Sequence, residues 1–328
     1  MRAVVFAGKL DPCKDYPMPE PAVGEALVRV LVAGICATDL EIIKGYQRFC
    51  GVLGHEFVGR VEAVNGSQQE LVGKRVVGEI NIGCGECDLC SKGLVGHCRN
   101  RQVLGIHGKD GAMADYLTLP VGNLHVVPEG IADEEAVFVE PLAAAFAIVE
   151  QVDLHGGDKV LVLGDGKLGL LIAQVLKTVT PAVTLAGHHS AKLALVHDFG
   201  IQTIQAGEMA ADKQFDLVVE ATGSAQGLKS ALQQIRPRGT VVLKSTVAEG
   251  APLNLAPAVV DEITMIGSRC GSFSPALAAL AEGKIAVTSL IDAVFPAEQA
   301  LAALARAGSR GVLKVLVDFR ADNLAEGI

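Results

Sequence analysis

Residues 159–176 constrain the fold more than any other stretch of this sequence. Lys159-Val160-Leu161-Val162-Leu163 is an apolar run of strand length. Gly164-Asp165-Gly166-Lys167-Leu168-Gly169 follows at once, and then Leu168–Leu176 places apolar residues at helical period. A strand, a Gly-x-Gly-x-x-Gly turn and a helix form half of a βαβ unit. Such a unit commits its region to a parallel sheet with helices on both faces. The glycines have separate uses: Gly164 for the tight turn, Gly166 for close approach of a pyrophosphate, and Gly169 for packing of helix on strand. Backbone N–H groups and the helix dipole at Lys167 and Leu168 favour that anion. Further strand-like runs at Val183–Ala186, Phe215–Glu220 and Thr240–Leu243 alternate with helical stretches at Ser190–Phe199 and Ala225–Ile235.

Before Asp153 the pattern is different. Runs such as Ala26–Val32 and Phe57–Val64 alternate with Gly, Pro and Asn, which describes a β-rich region. The chain of 328 residues therefore reads as an α/β protein in three segments. Residues 1–148 are the β-rich domain, 149–283 a doubly wound dinucleotide-binding domain, and 284–328 a tail with a helix at Pro296–Ala307 and a strand at Val312–Val317. A formal charge of −9 without a basic block argues against nucleic acid and anionic membrane as partners. The opening residues lack a signal-peptide core, and no apolar run is long enough to cross a bilayer. With eight cysteines, half of them at metal spacing, the cytosol is the expected compartment.

Those four cysteines, Cys84, Cys87, Cys90 and Cys98, give Cys-x2-Cys-x2-Cys-x7-Cys. Four thiolates fill a tetrahedral zinc and leave no open position, so this zinc is structural. Gly83, Gly85 and Gly93 let the loop wrap. A second set of ligand types is scattered: Cys36 in Gly34-Ile35-Cys36-Ala37-Thr38-Asp39, His55 in Gly54-His55-Glu56, and Glu140 in Val139-Glu140-Pro141. A catalytic zinc takes three protein ligands and keeps one position open. Taken singly, Cys36 also reads as a small core residue, His55 as a turn histidine and Glu140 as a solvated helix-start acid.

Nucleotide choice is read at the end of the second strand, where an NAD site expects Asp or Glu. Here Gly187-His188-His189-Ser190-Ala191-Lys192 holds no acid, a pattern suited to a 2′-phosphate and so to NADP over NAD. Ser190 also reads as a plain helix cap.

In this order the motifs resemble the zinc-dependent medium-chain alcohol dehydrogenase family, over nearly the whole chain. The resemblance implies a GroES-like catalytic domain, a Rossmann coenzyme domain and a C-terminal segment returning to the first. It implies two zincs per chain, the catalytic one held by Cys36, His55 and Glu140, with Glu56 able to exchange into the shell. A glutamate as third ligand points to the polyol and threonine dehydrogenase branch. Asp39 would orient His55, Thr38 would take the substrate's hydroxyl proton, and Thr222 and Arg269 would lie along the cofactor. The implied substrate is a small secondary alcohol or polyol, or its carbonyl product, and the implied assembly a homodimer or homotetramer. Glu41 replaces the histidine that often passes the proton to solvent. The alternatives are a zinc-independent quinone or enoyl reductase and a catalytically silent NAD(P)H-binding regulator.

Overall fold

The computed structural model describes residues 1–224, 226–245 and 254–320. Its internal contacts divide the chain into two units. One holds Met1–Glu140, Ala276–Glu282 and the chain from Val287 on; the other holds Pro141–Pro275 and Gly283–Ala286.

The first unit is built on a mixed sheet. Strand β1 (Glu25–Gly34) alternates between half-buried and buried residues along most of its length, the pattern of a strand with one covered face. It pairs antiparallel with β2 (Glu56–Val64), and β2 with β3 (Arg75–Gly78). Strand β4 (Tyr116–Pro120) also pairs with β1, and β5 (Leu124–Val126) pairs with β3. Helix α1 (Ala37–Ile43) leaves the end of β1. The cysteine-rich segment is a lobe closed at its base by antiparallel pairing of Asn81–Ile82 with Gln102–Leu104.

Helix α2 (Val139–Gln151) contains the division between the two units at Glu140–Pro141. The second unit then follows the βα alternation. Strand β6 (Val160–Leu163) is buried at all four residues, as a central parallel strand must be when helices cover both faces. Next come α3 (Lys167–Lys177), β7 (Val183–Gly187), α4 (Ser190–Ala194), β8 (Gln202–Gln205) and β9 (Phe215–Glu220). Helix α5 (Gly227–Gln234), β10 (Ile235–Leu243) and β11 (Thr264–Gly267) complete it. The strand order β8-β7-β6-β9-β10-β11 is parallel throughout. It is the doubly wound order, whose direction reverses between β6 and β9, and ligands bind outside the strand ends at such a switch point. Leu161, Val218, Ala231, Ile235 and Val241 pack together beneath it, and each fully buried Leu, Val or Ile contributes about 1.5–3 kcal/mol.

Three elements depart from the sequence expectation. The helix expected over Ser190–Phe199 stops at Ala194 and resumes as a 3₁₀ turn at His197–Phe199, which Gly200 ends in a left-handed conformation. Ala225, the expected start of the next helix, lies outside the described residues; the helix runs from Gly227. Pro296 closes strand β12 (Ile291–Pro296) in extended conformation, so helix α6 (Ala300–Ala307) begins only after a 3₁₀ turn. The final strand, β13 (Lys314–Asp318), starts after the left-handed turn at Gly311. It pairs antiparallel with β1 and parallel with β12, so the tail adds two strands to the first sheet. Among the described residues no helix is long and apolar enough to cross a membrane.

Candidate active site

The ends of β1 and β2 lie side by side, with Gly34 opposite Glu56 in the register. Cys36 follows the first strand and His55 precedes the second, so the pairing brings residues from two loops together. A side-chain carbon at Gly34 would sit 2.5 Å from Glu56 Oε2 and 2.7 Å from Val137, so only glycine leaves room for that carboxylate. Gly54 has φ +94, and a Cβ there would meet Met113 at 2.8 Å. Position 54 therefore requires glycine on two counts.

Asp39 holds the pieces in place. Its Oδ2 accepts from the backbone N–H of Cys36 at 2.8 Å, and its Oδ1 accepts from the N–H of Gly54 at 3.3 Å. The same Oδ1 lies 3.2 Å from His55 Nδ1. With Nδ1 facing Asp39, the ring's other nitrogen is the one turned to ligand chemistry. Burial alone would push the imidazole pKa down, but the charges of Asp39 and Cys36 outweigh it and raise it well above the usual histidine range. The Cys36 sulfur, a His55 nitrogen and a Glu56 oxygen all lie within 4.8 Å of one another. Thiol, imidazole and carboxylate gathered so closely suit zinc. Thr38 Oγ1 is 3.7 Å from Cys36 Sγ, at the edge of the cluster.

Glu140 sits in the first turn of α2, and the carboxylate grouped with Cys36 and His55 is that of Glu56. Sequence reasoning also missed Lys314. Its ammonium pairs with Glu56 Oε2, both side chains are fully buried, and the nitrogen lies 5.3 Å from the centre of the Phe138 ring. A single cation inside Val312–Val317, an otherwise apolar strand, was the available signal. Buried charges of this kind need partners. Glu41, by contrast, is half-buried and pairs with the exposed Lys44 at 2.8 Å.

Cys84, Cys87, Cys90 and Cys98 form the second metal-capable group. The N–H of Cys84 donates to Cys98 Sγ at 3.4 Å and that of Cys90 to Cys87 Sγ at 3.5 Å. Donation from the Cys90 backbone is the main cause pulling the Cys87 thiol down to about 6. Four thiols gathered this closely fit a tetrahedral zinc.

In the second unit the glycine loop has the shape its spacing implies. Gly164 has φ +115, and a Cβ at Gly169 would lie 1.9 Å from the Gly164 carbonyl oxygen. Gly166 has no atom within 4 Å of where a Cβ would stand, so its outer side is open to a ligand. Lys167 and Leu168 open α3 behind it. At the end of β9, Glu220 Oε1 accepts from the Thr222 N–H at 2.8 Å and from its hydroxyl at 2.6 Å, fixing Thr222 beside the switch point. Arg269 is exposed just beyond β11, and its carbonyl accepts from Lys244. Past β7, the N–H groups of His188 and His189 donate to Asp165, Ser190 Oγ accepts from Gln205, and Lys192 lies in α4.

Residues 22–129 match the alcohol dehydrogenase GroES-like domain family, and residues 168–282 the zinc-binding dehydrogenase family. The chain is 33% identical to the starvation-sensing protein RspB of Escherichia coli K12, over 86% of this chain and 87% of that one. It is 30% identical to the L-galactonate-5-dehydrogenase of the same strain, over 86% of this chain and 88% of the relative. Among solved structures, an alcohol dehydrogenase (rspB) from E. coli CFT073 complexed with NADH superposes with TM-score 0.89 at 28% identity. That similarity covers 97% of this chain and 99% of the other. A putative zinc-binding dehydrogenase from Sinorhizobium meliloti 1021, bound to NADP, gives 0.88 at 27%, over 97% and 98%. With these matches and this site, the chain belongs to the zinc-dependent medium-chain alcohol dehydrogenase family.

Proposed function

We propose that this protein is an oxidoreductase that moves a hydride between a nicotinamide dinucleotide and a small secondary alcohol or polyol, with one catalytic and one structural zinc per chain. The observation that carries this reading is the Cys36–His55–Glu56 cluster, clamped through Asp39. Relatives named as sorbitol, L-galactonate-5- and D-altritol 5-dehydrogenases support the polyol class.

Cys36 and His55 would hold the zinc, whose Lewis acidity would lower the pKa of an alcohol oxygen. Glu56 is the carboxylate gathered for the third position. Lys314 offers Glu56 a competing partner, and Glu140 is the acid that family resemblance puts in its place. A bound nicotinamide supplies the hydride acceptor, and that chemistry is the cofactor's own. The remaining work belongs to the chain. Asp39 fixes the Cys36 backbone and the His55 ring in one orientation. Thr38 offers its hydroxyl at the cluster's edge to take the alcohol proton. The open side of Gly166 admits a pyrophosphate, and Glu220 keeps Thr222 in place at the switch point. The sequence preference for NADP rests on His188, His189, Ser190 and Lys192, which follow β7 without an acid among them.

A zinc-independent quinone or enoyl reductase would need neither the cysteine lobe nor the Cys36–His55 pair. We place the protein in the cytosol, since half of its eight cysteines stand together as a metal-capable group rather than as a disulfide framework. We assign it as a homodimer or homotetramer: among the described residues β11 is the outermost strand of its sheet and carries an exposed Met265, an edge suited to pairing with a second copy. Light scattering of the purified protein measures that assembly.

The deciding experiment combines metal analysis with turnover of a polyol and sugar-alcohol panel, using NAD and NADP. Two zincs per chain and turnover are expected. His55→Ala should retain one zinc and lose about a thousandfold or more in kcat, the several kcal/mol that metal polarisation supplies. Tight nucleotide binding without turnover, in a protein carrying one zinc, would identify a silent regulator instead.

A further inference from the structure

We propose that Asp165 selects the nucleotide, and that it selects NAD over NADP by placing a carboxylate where the second strand ends. This rests on the reading that a nicotinamide dinucleotide occupies the glycine loop.

An NAD site holds the adenosine ribose with an acid at the end of the second strand. At that place this chain has Gly187, the last residue of β7. Its backbone is not in the left-handed region that would ask for glycine. The reason for glycine is room: a Cβ at Gly187 would lie 2.4 Å from Asp165 Cβ and 2.6 Å from its carboxylate. The side chain missing from the strand end is replaced by one reaching across from the glycine loop, and the two positions are complementary. An acid at 187 and an acid at 165 exclude each other sterically.

The relocated carboxylate is held firmly. Its Oδ2 accepts from the backbone N–H of His188 at 2.8 Å and of His189 at 2.6 Å, and lies 3.0 Å from His189 Nδ1. Oδ1 takes part in none of these bonds and is left as an acceptor for a ribose hydroxyl. Burial of Asp165 would push its carboxyl pKa up, but the donors from His189 and His188 outweigh that and hold it below the usual range. The group is therefore an anion at neutral pH. A 2′-phosphate carries negative charge to the same spot and meets repulsion; a 2′-hydroxyl meets an acceptor.

The groups that made NADP attractive in the sequence are partly engaged already. The His189 ring faces Asp165, and Ser190 Oγ accepts from Gln205 Nε2 at 2.9 Å. His188 and Lys192 also stand near the strand end, but the atoms nearest the place beside Gly187 are those of Asp165.

The test is binding of NADH and NADPH to the purified zinc-loaded protein without substrate, read by nucleotide fluorescence, so that it is independent of turnover. The wild type should bind NADH about tenfold or more tighter than NADPH, as befits a hydrogen bond to a charged group. Asp165→Asn keeps an acceptor for the His188 and His189 amides but removes the charge. It should weaken NADH while sparing or improving NADPH, bringing the ratio near one. Moving the acid back, as Asp165→Gly with Gly187→Asp, should restore the preference for NADH. A wild-type preference for NADPH, or equal losses for both nucleotides in Asp165→Asn, would overturn the assignment. Failure of the wild type to bind either nucleotide would overturn the dinucleotide reading and this inference with it, whereas NADH binding without alcohol turnover would leave Asp165 in its role and remove only the dehydrogenase.

Discussion

The two metal-capable clusters of this protein are built in opposite ways. Cys84, Cys87, Cys90 and Cys98 come from one short segment of 3₁₀ turns, and only Cys98 among them is buried. The lobe has little apolar interior, so the ligands themselves must hold it together. Cys36, His55 and Glu56 come from separate loops and strand ends, and Lys314, paired with Glu56, is 258 residues distant in sequence. There the sheet brings the ligands together, and Asp39 and the β1–β2 pairing hold them near one another. The difference teaches which of the two sites needs its metal in order to exist.

The comparison breaks most visibly when zinc is stripped. Zinc binding in small cysteine sites contributes on the order of 10 kcal/mol to local folding. Chelation, or Cys98→Ser, should therefore remove hydrogen-exchange protection across residues 84–101. Protection of β1 and β2 should stay as it was. Loss of protection around His55 to the same extent would mean that both sites are metal-built.

Legibility in the sequence follows the same division. The cysteine quartet was readable because its ligands are neighbours in the chain, and the glycine loop because strand, turn and helix are contiguous. Cys36 and His55 were readable only through resemblance, since their meeting depends on the register of β1 against β2. Glu140, which the family pattern names as third ligand, stands in the first turn of α2, while the carboxylate grouped with Cys36 and His55 is Glu56. Asp165 was overlooked because it fills a variable position of the Gly-x-Gly-x-x-Gly pattern. Its meaning appears only when Gly187 is placed against it. The helix expected over Ser190–Phe199 failed for a local reason, the left-handed Gly200 that closes a separate turn.

Lys314 sharpens the contrast at the level of stability. Breaking a buried ion pair by removing one partner costs about 3–5 kcal/mol, because a charge stays behind in an apolar setting. Lys314→Met should lower stability to denaturant by that amount while structural zinc remains bound. Replacing both partners, as Lys314→Met with Glu56→Gln, should recover part of the loss. A Lys314→Met protein as stable as the wild type would mean that Glu56 is carried by other groups.

The smallest expected effect separates holding a ligand from being one. Asp39 touches no substrate, yet it accepts from the Cys36 and Gly54 backbones and faces His55 Nδ1. In Asp39→Asn the side chain keeps one oxygen, but its amide group must turn toward groups that are themselves donors. The negative charge that supports the ring's basicity is lost as well. Partners of this kind are worth about 10–100-fold in metal affinity or activity. Zinc titration with a competing chelator should find the catalytic site weakened within that range and the cysteine site unchanged. A Glu substitution at 39, which restores the charge on a longer arm, should recover affinity only in part if orientation matters beside charge. Full recovery would reduce the role of Asp39 to electrostatics, and equal weakening of both zincs would show a general loss of folding rather than a misplaced imidazole.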